Sequence, residues 1–215
     1  MALIGFDSGE ATKYPTYVTI NTNSLWTKIA NQPSKWEVRG EGISAVNPSR
    51  AGVQGGTVYS GSTAFRCQSA VDPKFGGMRR SFGASYAETY ISFMVYFGAI
   101  SARDIFALWD NADVISMRLN ISATGQLLVY AGAVPTLKAT IAAGFVTNTW
   151  YNIKIHIKTA TNTLEVRIND GALTDCSGTA MNNWYYLLLG HNQTSINNAD
   201  SYYDCIQVND NTGAI

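Results

Sequence analysis

Period-two alternation is clearest in Trp150-Tyr151-Asn152-Ile153-Lys154-Ile155-His156-Ile157-Lys158, where the isoleucines fall on one face and Lys154, His156 and Lys158 on the other. That is the pattern of a strand buried on one side. Ala160-Thr161-Asn162 supplies a turn, and Leu164-Glu165-Val166-Arg167-Ile168-Asn169 repeats the alternation with Leu164, Val166 and Ile168 inward. Asp170-Gly171 then signals a hairpin. Upstream, the apolar runs Asp104 to Trp109 and Val114 to Ile121 are joined by Asp110-Asn111-Ala112-Asp113, and Thr124-Gly125 turns the chain into Gln126 to Tyr130. The succession predicts a β-meander with short connections.

No stretch of helical length keeps an i, i+3, i+4, i+7 apolar pattern free of Gly, Pro or a β-branched run, so little helix is expected. The region from about Pro33 to Gly77 is rich in Gly and Ser and predicts short strands between loops, with Val58-Tyr59 and Ala64-Phe65-Arg66-Cys67 among them. Met1 to Asp7 reads as a first strand, since no basic start or long apolar stretch precedes Asp7 and Glu10 as a secretory leader requires. Nothing divides the chain by repeat, linker or charge run. The expectation is one all-β domain over residues 1–215, an antiparallel β-sandwich or jelly roll.

Composition narrows the function. The 215 residues carry 15 Lys and Arg against 15 Asp and Glu, and only 14% are charged, so the basic footprint that nucleic acid or an anionic membrane attracts is missing. The apolar run Tyr90 to Ile100 falls well short of the roughly 20 residues of a membrane helix. Cys67, Cys176 and Cys205 form an odd set without metal-ligand spacing, which favours synthesis in a reducing cytoplasm and leaves a Cys176 to Cys205 bridge open.

The order of elements resembles the concanavalin A-like lectin/glucanase superfamily, in the small laminin-G-like form found in bacteriophage structural proteins. The residues that carry the resemblance are Gly5-Phe6-Asp7-Ser8-Gly9, Trp36, and Gly55-Gly56 leading into Ser62-Thr63-Ala64-Phe65-Arg66. They continue with Tyr90 to Phe97 as a long central strand and with Thr149-Trp150-Tyr151-Asn152-Ile153-Lys154-Ile155. Tyr202-Tyr203-Asp204-Cys205-Ile206-Gln207-Val208-Asn209-Asp210 closes the pattern, with Cys205 where the family usually has a second aspartate. The resemblance implies a concanavalin A-like jelly roll whose last strand pairs beside its first, and places Trp36 and Trp150 in the core.

Members of such a family bind sugars, proteins or calcium, or cleave glucans, so the site must be argued from residues. Cleavage needs two carboxylates across the scissile bond, and no E-x-D-x-E strand occurs here; with only His156 and His191, no serine triad is indicated either. No catalytic residue is therefore assigned. Asp110 and Asp113 offer hard oxygen ligands for calcium, with Asp200 and Asp204 as weaker candidates; the competing reading of Asp110 to Asp113 is a polar hairpin turn. Trp184 and Tyr185, followed by His191 and Asn192, present an aromatic edge and a polar loop for a glycan. Arg79, Arg80 and Arg103 read as solvated charges, and Asn120-Ile121-Ser122 and Asn192-Gln193-Thr194 match glycosylation sequons through a common pattern.

The first functional expectation is a non-enzymatic bacteriophage virion accessory protein, a capsid decoration or cement protein made in the host cytoplasm, touching capsid or other virion proteins, assembling as a trimer and adhering weakly to cell-surface glycans. The alternative is a carbohydrate-binding, lectin-like module for cell-surface glycans. A polysaccharide-degrading enzyme is the remote third.

Overall fold

The computed structural model describes residues 3–7, 18–19, 27–28, 36–40, 50–54, 56–60, 64–69, 76–191 and 199–210, with side chains at 56–60, 64–68, 77–190 and 200–209. In chain order the strands begin with β1 (Leu3–Asp7), β2 (Val18–Thr19), β3 (Thr27–Lys28), β4 (Trp36–Gly40), β5 (Arg50–Gln54) and β6 (Ala64–Ser69). The long strands β7 (Gly76–Tyr86) and β8 (Glu88–Ala99) come next, then β9 (Arg103–Trp109), β10 (Ile115–Ile121), β11 (Leu127–Ala131) and β12 (Thr136–Ile141). The chain continues through β13 (Trp150–Lys158), β14 (Thr163–Ile168), β15 (Thr174–Asp175), β16 (Trp184–His191) and β17 (Ala199–Asp210). One 3-10 turn at Thr159–Thr161 is the helical content of the described residues, none of which forms a helix long and apolar enough to cross a membrane.

The strands form two antiparallel sheets. A front sheet runs β15-β14-β13-β8-β17-β6-β5-β2, with β1 also on β17, and a back sheet runs β12-β11-β10-β9-β16-β7-β4-β3. The architecture is the expected antiparallel β-sandwich of jelly-roll type. The meander is present as β9 to β12 and as β13 to β15, and the Asp170-Gly171 turn carries β14 into β15. Val58-Tyr59, expected as a strand, lies instead in the bends of residues 56–60.

Alternation decides what is buried. On β8, Ile91, Phe93, Val95 and Phe97 point inward, as do Ile153, Ile155 and Ile157 on β13, against Phe106, Leu108, Met117, Leu119, Leu187 and Leu189 of the back sheet. Each such side chain contributes about 1.5–3 kcal/mol when withdrawn from water. Phe93 stacks on Phe106 with centroids 5.1 Å apart. Polar bonds also pin the layers together, among them the Tyr203 hydroxyl donating to the Ile105 carbonyl at 2.8 Å and Trp184 Nε1 donating to Thr89 Oγ1 at 3.0 Å.

Strand β17 is the hinge of the design. One edge pairs with β8 throughout, whereas the other pairs first with β6, through residues 199–203, and then with β1, through residues 206–209. At the handover its register against β8 skips a residue between Asp204 and Gln207, and Cys205 adopts a positive φ of 49°. This is a β-bulge, a device that bends a strand and re-aims a side chain.

Two expectations are corrected here, and the bridge left open is decided. Arg103 is buried, not solvated: its guanidinium donates to the Ala99 carbonyl at 2.8 Å, Ser101 Oγ at 2.9 Å and Ser201 Oγ at 3.0 Å, tying the β8–β9 turn to β17. Arg79 is also drawn in, bonded to Asp113 at 2.8 Å over the Tyr186 ring. None of the three cysteines is in a disulfide. Cys176 follows β15, at the edge of the front sheet, and Cys205 sits on β17 four strand spacings away, about 19 Å, where a disulfide needs Cα atoms within roughly 7 Å.

Candidate functional site

The outer face of the front sheet carries a row of cross-strand neighbours. Trp150 of β13 lies opposite Tyr96 of β8, Tyr96 opposite Tyr202 of β17, and Tyr202 opposite Arg66 of β6. All occupy positions opposite in parity to the inward isoleucines and phenylalanines, so the alternation that fills the core also lines this row. Centroids are 5.4 Å apart for Trp150 and Tyr96 and 5.4 Å for Tyr96 and Tyr202, and the rings meet at angles; Trp150 and Tyr96 are half-exposed, whereas Tyr202 is buried between its neighbours. Cross-strand aromatic pairs of this kind hold each other in place.

Polar groups frame the rings. The Tyr96 hydroxyl donates to Asn148 Oδ1 at 2.9 Å, and Asn148 is fixed by its left-handed backbone and by its N–H bond to the Phe97 carbonyl. At the other end Arg66 makes a two-point ion pair with Asp200, both bonds 2.8 Å, while its guanidinium lies 5.0 Å from the Tyr202 ring centre. The Tyr202 hydroxyl donates to Asp200 at 3.2 Å. Gly98 on β8 makes room for this carboxylate, since a Cβ there would lie 2.7 Å from Asp200 Oδ2.

Above the row runs the segment 56–60. Tyr59, 54% exposed, meets Trp150 edge-on at 5.7 Å. The Tyr59 and Ser60 N–H groups donate to Asp204 Oδ2 at 3.1 and 2.9 Å, and the Cys205 N–H donates to Asp204 Oδ1 at 2.7 Å. Asp204 is wholly buried; burial raises its pKa above the usual aspartate range, against the pull of these N–H bonds.

A second polar cluster lies further along the same face. His156 stacks flat on Tyr90 at 4.2 Å, with Nδ1 2.8 Å from Glu165 and Nε2 3.3 Å from Glu88. Lys158 bonds Glu88 at 2.9 Å and, with His156, lowers its pKa against a smaller opposing effect of burial.

The residues proposed from sequence do not assemble into one site. Trp184 is 0% exposed, packed by Phe82 and Tyr86, so it has no face to offer a sugar. Tyr185 is half-exposed at an irregularity in the register of β16, its ring against Tyr186. His191 ends the same strand, about 23 Å from Trp184 at ordinary strand rise, and Asn192 lies outside the described residues. Trp150, expected in the core, is instead half-exposed in the aromatic row, and Trp36 lies on β4 with its side chain outside the described set. Asp110 accepts the Ala112 and Val114 N–H groups on Oδ1 and the Asn182 amide on Oδ2, and Asp113 pairs with Arg79. That is the geometry of a side-chain-capped turn. No cluster of three or more His, Cys, Asp or Glu placed to hold a metal occurs among the described residues. Asn120, of the first sequon, is buried in β10, and the second sequon lies outside the described residues.

The class that fold and row define is an antiparallel β-sandwich with an aromatic strip across one outer face. No family model matches the chain, and no curated protein matches it. Solved structures share the fold. A cellulose induced protein, Cip1, superimposes with a TM-score of 0.63 at 11% identity, over 96% of this chain and 95% of that one. A sialidase gives 0.58 at 10% identity over 93% of this chain but 19% of its own length. The binding domain of botulinum neurotoxin DC in complex with SialylT gives 0.51 at 15% identity, over 93% and 48%. The chain thus spans less than half of the last two.

Proposed function

We propose that this protein is a non-catalytic carbohydrate-binding module that seats a sugar on the Tyr59, Trp150 and Tyr96 rings of the front sheet. The row itself carries the reading: aromatic faces in a sheet surface, with the Asn148 amide and the Arg66–Asp200 pair at its ends, match the apolar faces and hydroxyl edges of a pyranose. The single guanidinium of the row is already matched by a carboxylate, which favours a neutral glycan. The fold neighbours support this reading over capsid decoration, which draws on the sequence resemblance alone.

Cleavage is disfavoured by position. Asp200 is engaged by Arg66 and the Tyr202 hydroxyl, and Asp204 by three backbone N–H groups, which leaves neither carboxylate poised for the paired roles of a glycosidase. The gap between Glu88 and Glu165 is occupied by the His156 ring. Where many copies share a surface, weak single-site affinity multiplies.

The test is titration of the protein and Trp150→Ala with cellohexaose, maltohexaose, xylohexaose and sialyllactose, followed by calorimetry. Binding of a neutral hexaose that the variant loses supports the assignment. No binding across the set, or binding indifferent to the substitution, overturns it.

A further inference from the structure

We infer that Asp204 is the positioning residue of this site: its carboxylate fastens residues 59 and 60 onto the front sheet and thereby sets the Tyr59 ring against Trp150. The inference rests on the carbohydrate reading above and adds what holds the site together.

The geometry is specific. Two N–H groups from one segment converge on a single oxygen, Oδ2, across 145 and 144 residues of chain. Hydrogen bonds to a carboxylate are shorter and stronger than those to a neutral acceptor. Asp204 faces these groups because it has the parity of the outward Tyr202 on β17, and the neighbouring Cys205, where the bulge begins, keeps an unfavourable left-handed backbone while giving its own N–H to Oδ1. A non-glycine residue held at positive φ beside a buried carboxylate is strain retained at a place where geometry matters. Tyr59 itself is more than half exposed and meets Trp150 by an edge, so its ring is not held by burial. Arg66 and Asp200, which frame the same row, are engaged with each other instead.

Four variants separate positioning from bulk stability: Tyr59→Ala, Asp204→Ala, Asp204→Asn and the Tyr59→Ala/Asp204→Ala double, each titrated with the hexaose that binds best. Asp204→Ala should weaken binding by as much as Tyr59→Ala, about tenfold for an aromatic contact of this kind. The double should be no weaker than either single, because both remove one interaction. Asp204→Asn should recover most of the affinity, since its carbonyl oxygen can still receive both N–H groups. In amide NMR spectra without sugar, the Tyr59 and Ser60 N–H resonances should move upfield in Asp204→Ala. Additive losses in the double, or unmoved Tyr59 and Ser60 resonances, would overturn the inference. If the protein binds none of the sugars, the carbohydrate reading falls, while the resonances still decide whether Asp204 holds the segment.

Discussion

Trp150 and Tyr96 stand directly opposite each other on β13 and β8, with ring centroids 5.4 Å apart on the water-facing side of the sheet. Trp184, by contrast, is enclosed and spends its N–H on Thr89. The two tryptophans therefore separate function from stability. Trp150→Ala should abolish sugar binding at a cost in unfolding free energy of about 1 kcal/mol or less. Trp184→Ala should cost about 3–5 kcal/mol through the cavity it leaves. Urea denaturation of both, beside calorimetric titration, checks the pair, and equal destabilisation by the two would contradict the assigned exposures.

Asp104 predicts an unusual pH dependence. Its carboxyl is 1% exposed, and burial pushes its pKa up to about 6, against the lowering by Arg118 at 3.9 Å and Asn120. The folded protein then holds a proton that the unfolded chain, with a pKa of about 3.9, has released. This contribution to stability falls as pH rises from about 4 to about 6 and stays low above it. Asp104→Asn should flatten that slope and raise stability at pH 7 by about 1–3 kcal/mol. Glu88 has the opposite sign, its stabilisation being lost as pH falls through its lowered pKa, and comparison of variant and parent at each pH cancels it. A variant less stable than the parent at pH 7 would show that the Arg118 pairing outweighs burial.

The thiols should react unequally. Burial drives the Cys67 pKa far upward and pushes that of Cys176 up to about 11, whereas Cys205 lies half-exposed on the bulge. Brief alkylation of the folded protein at pH 8 should label Cys205 alone, with the same intact mass in the absence and presence of reductant. Prompt labelling of Cys67 would mean that the core around it opens.

Asp110 works as a turn carboxylate, accepting from two backbone N–H groups and the Asn182 amide. Replacing it by Ala should cost about 1–2 kcal/mol by leaving those donors to water. The loss should be the same in EDTA and in calcium chloride. A melting temperature that climbs with calcium in the parent and not in the variant would make Asp110 a cation ligand instead.

The sandwich was legible because its evidence is periodic: the isoleucines of β13 and the Leu164, Val166 and Ile168 series of β14 repeat every second residue, and each turns out on the face assigned. The site was half legible. Trp150 has the same parity as Lys154 and His156, so the alternation already turned it outward, whereas family position put it in the core. Parity was the better guide, because it follows from the backbone of this chain. Trp184 misled in the opposite way, since a register irregularity in β16 breaks the simple count beside it. The partnership of Asp204 with Tyr59 has no sequence signal, because residues 145 apart are brought together only by the order of strands in the sheet. Arg103 likewise reads as solvated from sequence, because its acceptors come partly from its own turn, Ala99 and Ser101, and partly from Ser201 on a strand 98 residues away.

Strand β17 is flanked by partners made long before it, and this orders events during synthesis. The ribosome delivers β6, β8 and β1 early, yet all three wait for residues 199–210 before their shared neighbour exists. Tyr96 and Trp150 are both present once β13 has been made, whereas Asp204, the acceptor of the Tyr59 N–H, is added some fifty residues later. A nascent chain stalled before β17 would display the first two aromatics without the third. Completion of the aromatic row would thereby serve as a marker that translation of this sheet has finished.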